Sequence, residues 1–396
     1  MTELQVADRV LDMTPSPTSS LNARTAELRA SGCDIIGMGT GELDFDTPQH
    51  IKEAAKAAID QGFTKYTAVD GIPELKRAII EKLYRENSLR YEAPQVLVSC
   101  GCKQALYNLV QSAINPGDEV IIPGPYWVSY PDMVRLAGGI PVVVSAGIDD
   151  GFKIRPEQLD RAVSEKTRLL FMNSPSNPTG AHYSPEELSN LADVLLQHDH
   201  IIVASDDIYE HMLWEGKPFK NIINVCPNLY DRTFILNGVS KAYAMTGWRI
   251  GFAAGPEQLI RKMKTIQSQS TSNPSSIAQY AATAALDGDQ SFTENVVTIL
   301  KQRHDFVFAA LSEIPGVRCL PSQGTFYLFA DVHEAMLEKG IDDDIQFSEY
   351  LIENARVAVV PGSAFGAPGH IRLSFATSME SLEAAMTRIR TALKRV

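Results

Sequence analysis

Long apolar runs are missing from this 396-residue chain, and so is any excess of positive charge. Nowhere do about 18 apolar residues follow one another, the length a helix needs to cross a bilayer, so no membrane-spanning segment is expected. Lys and Arg number 36 against 48 Asp and Glu, a formal net charge of −12. A surface of that sign repels nucleic acid and anionic lipid, and neither is an expected partner. Cysteine is scarce: Cys33, Cys100, Cys102, Cys226 and Cys319 are an odd, scattered set rather than a disulfide framework. Cys100 and Cys102 form a C-x-C without a second pair, His198 and His200 fall in a predicted solvated turn, and no metal site is expected. The N-terminal stretch MTELQVADRVLDMTPSPTSS carries acidic residues where a secretory signal is basic, and it has no apolar core. The expectation is a cytoplasmic protein with reduced thiols.

What the chain does have is 44% apolar residues, enough for a sizeable core, and a length that suggests two or three domains at roughly 100–200 residues each. From residue 96 onward, short β-branched apolar runs end in Gly, Pro, Ser, Asn or Asp: VLVS, EVII, PVVV, RLLFM, IIVAS, TFIL and RIGFAA. Continuous apolarity, not alternation, predicts strands buried on both faces, as in a mainly parallel sheet wrapped by helices. The fold class is therefore α/β, and chemistry is expected just beyond the carboxyl ends of the strands. After Pro274 the pattern becomes a long helical stretch, then strand candidates FYLFADV, VAVV and IRLSF and a closing amphipathic helix from Ser378, which reads as a smaller α+β domain. TPSPT reads as part of an N-terminal arm. Two enzyme patterns fail: GMGTG has Glu42 where a dinucleotide-binding turn needs glycine, and GVSKA has Ala242 where a nucleophile elbow needs glycine.

At the strand ends stand several segments of unusual density. Lys241 lies in NGVSKAYAMTGWRIG after TFIL, with Arg249 eight residues on; Asp206 ends IIVAS in SDDIYEH, with Tyr209 three residues later. SCGCKQALYNLVQS follows VLVS and opens a predicted helix at Gly101, where free backbone N–H groups favour an anion. SPSNPTG follows RLLFM, and spacing alone leaves Asp206 and Asp207 equally placed.

SKAYAMTGWRIG resembles the cofactor-lysine signature of the class I aminotransferases, pyridoxal 5'-phosphate enzymes of fold type I, and the likeness runs in order from about Thr14 to the C-terminus. The resemblance implies a seven-stranded, mainly parallel sheet in a large cofactor-binding domain (46–290), a small C-terminal domain (291–396), and an N-terminal arm with part of the small domain (1–45). It implies that Lys241 bonds the cofactor aldehyde, that Arg249, Gly101, Cys102, Lys103 and Ser240 hold its phosphate, and that Asp206 sits at its ring nitrogen. Tyr209 and Asn177 would reach its phenolic oxygen, Trp127 would stack on its ring, and Tyr66 would reach the phosphate of a neighbouring subunit, making the active unit a homodimer. Arg372 in GHIRLSFA would clamp the substrate α-carboxylate, with Asn177 also reaching it, Gly41 lying over the substrate and Thr18 closing on it from the arm. Two positions depart from the family pattern: Gly238 where many relatives have serine, and Leu43 where most have proline.

The likeness is strongest to the aspartate aminotransferase branch, in which a lysine placed as Lys103 is thought to recognise a distal carboxylate. The expected reaction is ping-pong transfer of the amino group from L-aspartate to 2-oxoglutarate, with Lys241 as acid and base. An aspartate/prephenate enzyme, another amino donor, a lyase or decarboxylase, and a non-catalytic relative are the alternatives.

Overall fold

The computed structural model describes residues 6–11, 13, 17–214, 216 and 218–394, with the side chains of residues 17–20 and 22 outside that description. In chain order the strands are β1 (Ile36–Gly37), β2 (Val96–Ser99), β3 (Glu119–Gly124), β4 (Ile140–Ser145), β5 (Thr167–Asn173), β6 (Ile202–Asp206), β7 (Thr233–Gly238), β8 (Gly251–Ala254), β9 (Arg318–Cys319), β10 (Tyr327–Asp331), β11 (Val357–Ala358), β12 (Val360–Pro361) and β13 (His370–Ser374).

The seven runs that begin with VLVS form one seven-stranded sheet in the order β2-β8-β7-β6-β5-β3-β4. It is mostly parallel, as their continuous apolarity predicts; β8 alone runs against its neighbours β2 and β7. β2 and β8 are buried along their whole length, whereas β4 closes one edge and leaves Ile140 and Val143 partly exposed. Helices cover both faces. Several begin where their sequences dictate: Pro73 opens Pro73–Asn87, and Ser184 caps Pro185–Leu195 through a reciprocal pair with Glu187.

A second, antiparallel sheet has the order β12-β13-β10-β9, and β1 pairs with β11 in parallel. Around it, the helices Ser291–Ser312 and Met379–Leu393 build a separate apolar core that also takes in Met38 and Leu43. Leu43, which departs from the family proline, is thus a buried packing residue. VAVV is not one strand. It divides at Val359 into β11, which pairs with β1, and β12, which pairs with β13. In the segment read as an N-terminal arm, Pro17–Ala30 is a helix, with Pro17 at its first position, where a missing N–H costs nothing.

Register places the strand ends side by side. Asn173 is opposite Asp206 across β5 and β6, and Gly238 is opposite Gly251 across β7 and β8. No helix among the described residues is long and apolar enough to cross a membrane.

Candidate active site

Beyond those strand ends lies a cavity of about 390 Å³. Its lining brings together Gly41, Cys102, Lys103, Trp127, Asn177, Asp206, Tyr209, Ser240, Lys241, Arg249 and Arg372, eleven of the fourteen residues singled out by sequence, from segments scattered over the whole chain.

The Lys241 ammonium donates to the carbonyl of Gly41 and lies 5.9 Å from the ring centroids of both Tyr209 and Phe326. Loss of hydration pushes its pKa down to about 8, and the nearby positive charge of Arg372 pushes the same way. The amine is therefore far easier to deprotonate than an ordinary lysine.

Asp206 is buried. Tyr130 donates to its Oδ2 at 2.6 Å, and the Cys102 thiol lies 3.8 Å from its Oδ1. Burial raises its pKa to about 6, against the pull of the Tyr130 hydroxyl. The neighbouring carboxylate faces elsewhere, for Asp207 accepts from Ser205 Oγ at 2.7 Å and from Asn221 Nδ2 at 2.9 Å. Geometry thus separates two aspartates that spacing could not, and only Asp206 lines the cavity.

Arg372 is 2% exposed, and its guanidinium donates to Asn177 Oδ1 at 2.7 Å and to the Gly39 carbonyl at 2.8 Å. It lies on the faces of Tyr327 and Phe365, 4.2 and 4.8 Å from their centroids. Asn177 is fixed in turn by its backbone N–H, which donates to Asn173 Oδ1 at 2.8 Å.

On the opposite chemistry, that of an anion, Gly101 precedes the helix Cys102–Ala113 at φ 84°, and a Cβ there would come within 2.3 Å of the Arg249 guanidinium. A Cβ on Gly251 would lie 2.1 Å from the backbone nitrogen of Cys102. Two glycines therefore let the helix N-terminus, β8 and Arg249 close on one another. Gly238 has a local reason too: a Cβ there would meet the Ile250 carbonyl at 2.8 Å, so the serine of many relatives has no room. Lys103 holds its ammonium 4.9 Å from the Trp127 ring centroid, and burial, followed by the charge of Arg249, lowers its pKa.

Two residues stand apart. Tyr66 is 91% exposed and lies outside this cavity. Thr18 falls in the helix Pro17–Ala30, with its side chain outside the described residues.

Sequence reasoning passed over Tyr130, Tyr327 and Asn173. Tyr130 stacks on Phe171 at 4.4 Å and meets Trp127 edge-on at 5.4 Å, so it joins the Trp127 ring to Asp206. Tyr327 OH lies 3.2 Å from Tyr209 OH. Asn173 donates to the Asp206 carbonyl at 2.9 Å. The strand-end rule applied to RLLFMN would have found Asn173; Tyr130, three residues past Trp127, shares the same segment PYWVSYP.

A buried amine of lowered pKa, a buried carboxylate, an anion-binding helix start and a buried guanidinium fork define a site for an anionic carbonyl cofactor and a carboxylic acid. Residues 33–389 match the family Aminotransferase class I and II, and the chain belongs to it. Members of this class depend on pyridoxal phosphate, and the donor set described here fits that group. The chain is 53% identical to the aspartate/prephenate aminotransferase of Nitrosomonas europaea over 98% of its own length and all of the relative's. It is 48% identical to the aspartate aminotransferase of Geobacillus stearothermophilus, covering 98% of each chain. Among solved structures, the aspartate aminotransferase of Rhizobium meliloti superposes with a TM-score of 0.95 at 45% identity, covering 99% of this chain and 100% of that one. The Thermus thermophilus aspartate aminotransferase with maleate gives 0.92 at 43% identity, covering 98% and 100%.

Proposed function

We propose that this aminotransferase moves the amino group of L-aspartate to 2-oxoglutarate, giving oxaloacetate and L-glutamate in two half-reactions. The observation that carries the substrate is the pair of cations Arg372 and Lys103, which line one cavity with the Lys241 amine. A dicarboxylic acid can satisfy both: the fork of Arg372 takes the α-carboxylate and Lys103 the distal one.

When bound, pyridoxal phosphate supplies an electron sink for the charge that develops at the substrate α-carbon and a carbon that carries the amino group between half-reactions. Gly101, Cys102 and the backbone N–H of Lys103 at the helix start, with Ser240 and Arg249, would hold its phosphate, Asp206 its ring nitrogen, Tyr209 and Asn177 its phenolic oxygen, and Trp127 its ring face. The remaining work belongs to the chain. Arg372, held by Asn177 and the Gly39 carbonyl, fixes the acid with its α C–H facing Lys241. The Lys241 amine takes that proton from the α-carbon and would pass it to the cofactor carbon that carries the amino group, a task suited to a base poised near neutrality. Gly41 keeps the amine in place through its carbonyl and leaves the space above the substrate open.

Tyr66, exposed and outside its own chain's cavity, suits a contact with a partner's phosphate, and the reading includes a homodimer with shared sites. The division into an arm with part of the small domain (1–45), a large domain (46–290) and a small domain (291–396) is supported by the two sheets with separate cores. We place the protein in the cytoplasm, where its five free thiols would stay reduced.

One observation favours a second substrate. A cavity of about 1070 Å³ shares Lys103, Val128, Ser129 and Arg249 with the first and adds Leu21, Tyr107 and Tyr126, so an acid larger than aspartate, such as prephenate, has adjoining apolar space.

The test compares kcat/KM for aspartate with neutral amino donors, in the parent and in Lys103→Met. Loss of one charge-assisted hydrogen bond, about 1.5–3 kcal/mol, should lower the aspartate value by roughly one to two orders of magnitude and leave neutral donors nearly unchanged. A parent that prefers a neutral donor contradicts the assignment.

A further inference from the structure

The turn that carries Asp206 and Tyr209 is two-faced. Asp206 and Tyr209 line the cavity, whereas Asp207 and Glu210, each 6% exposed or less, enter the protein on the other side. Glu210 is the more heavily bonded. Its Oε1 accepts from Lys82 Nζ and, at 2.6 Å, from Asn237 Nδ2, and its Oε2 accepts from Asn87 Nδ2 at 2.6 Å. Lys82, 1% exposed, also donates to Asn87 Oδ1 at 2.7 Å and lies 3.4 Å from Glu86. His211 Nε2 in turn meets Glu86 at 2.9 Å.

Glu86, Glu210 and His211 bring ligand-type atoms within 4.8 Å of one another, a grouping that could hold a metal ion. Here Lys82 contacts both carboxylates and supplies the positive charge itself.

The other end of this network is Asn237. It stands in β7, four positions before Lys241, and its Oδ1 also accepts from the N–H of Gly238 at 2.7 Å. Glu210 therefore joins two separate segments, the turn after β6 with Asp206 and Tyr209 and the end of β7 that leads to Lys241. None of Lys82, Glu210 and Asn237 lines the cavity.

We propose that Glu210, neutralised by Lys82 and bonded to Asn237, is a positioning residue that fixes Asp206 and Tyr209 relative to Lys241. The inference rests on the roles given to those three residues above. A buried ion pair contributes little net stability over an apolar pair of similar volume, but here its hydrogen bonds to Asn87 and Asn237 tie it to particular partners. Misplacement of reacting groups by about 1 Å can cost on the order of a hundredfold in rate. The network thus acts on geometry at the site more than on the stability of the fold.

The test uses the dimeric, cofactor-loaded protein and two variants, Asn237→Ala, which leaves the ion pair in place, and Lys82→Met/Glu210→Gln, which removes both charges together. Three quantities are read: thermal midpoint, kcat and KM for aspartate, and the pH midpoint of the visible band of cofactor bound to Lys241 without substrate. Positioning predicts kcat lower by about tenfold or more with KM within about threefold. It also predicts a band midpoint displaced by roughly half a pH unit or more, because the groups around Lys241 have moved. Variants whose melting falls while kcat and band midpoint stay at parental values overturn the proposal. If the double variant does not fold, Asn237→Ala decides alone. The band midpoint needs no amino donor, so it reads the tie even if aspartate is the wrong substrate; a parent without the band sinks the underlying roles and the tie together.

Discussion

Arg372 donates to Asn177 Oδ1 at 2.7 Å across 195 positions of chain, joining a strand of the small sheet to the loop that follows β5 of the large one. The contact aims a guanidinium fork into a cavity whose lining also takes Gly41 from the N-terminal segment and Tyr327 from the small sheet, and that fork is proposed to take the substrate α-carboxylate. Lysine cannot reproduce it, since one ammonium cannot present the fork that serves Asn177, the Gly39 carbonyl and a carboxylate together. Arg372→Lys should therefore lose about 3 kcal/mol of substrate stabilisation, on the order of a hundredfold in kcat/KM for aspartate. Steady-state kinetics check this, and a loss below about threefold would mean that the fork does not hold the α-carboxylate.

Asp206 predicts a pH dependence in the cofactor-free protein. Burial disfavours the charge and pushes its carboxyl up to about 6 when folded, from the ordinary 3.8 of an aspartate. Between those values the folded chain holds a proton that the unfolded chain has released, so this group's contribution makes stability fall as pH rises, and the whole cost is present above about pH 6. A displacement of about two pH units corresponds to roughly 3 kcal/mol. Asp206→Asn should therefore melt higher than the parent near pH 8 and like the parent near pH 4, while losing turnover because an amide cannot keep a ring nitrogen charged. Equal melting at both pH values would show that the buried charge carries no such cost.

Gly251 lies against the start of the helix Cys102–Ala113, where the cofactor phosphate is proposed to bind. Its missing side chain would otherwise sit 2.1 Å from the nitrogen of Cys102 and 2.4 Å from the carbonyl carbon of Gly101, both backbone atoms that cannot step aside. Gly251→Ala should cost about 1–3 kcal/mol of stability through overpacking. The same change should weaken retention of pyridoxal phosphate, since the displaced N–H groups are those proposed to hold the phosphate. Thermal melts with and without cofactor measure both effects; parental values in both would remove Gly251 from the account.

The seven strands of the large sheet were legible because each is a short apolar run, most of them buried on both faces and only the edge strand β4 left partly open, a pattern that needs no knowledge of its partners. Lys241, Asp206 and Arg372 were legible for a different reason, each standing in a segment whose family likeness is dense. What escaped depends on distant pairing. The split of VAVV follows from two partners, Ile36–Gly37 on one side and His370–Ser374 on the other, and nothing local to the four residues announces it. Tyr130 matters through Asp206, 76 positions away, and Tyr327 through Tyr209, 118 positions away. The helix Pro17–Ala30 was concealed by its own proline-rich opening, although Pro17 sits where a helix tolerates it.

The central claim, amino-group transfer through Lys241 from an acidic donor, is tested most directly by adding aspartate alone to the cofactor-loaded protein while recording its visible spectrum and the oxaloacetate released. The account predicts that the lysine-bound band converts to that of the aminated cofactor, that release stops at one equivalent per site until 2-oxoglutarate is added, and that Lys241→Ala slows the conversion by at least about a hundredfold. A band unmoved by aspartate, or release that continues without a second oxo acid, would contradict it.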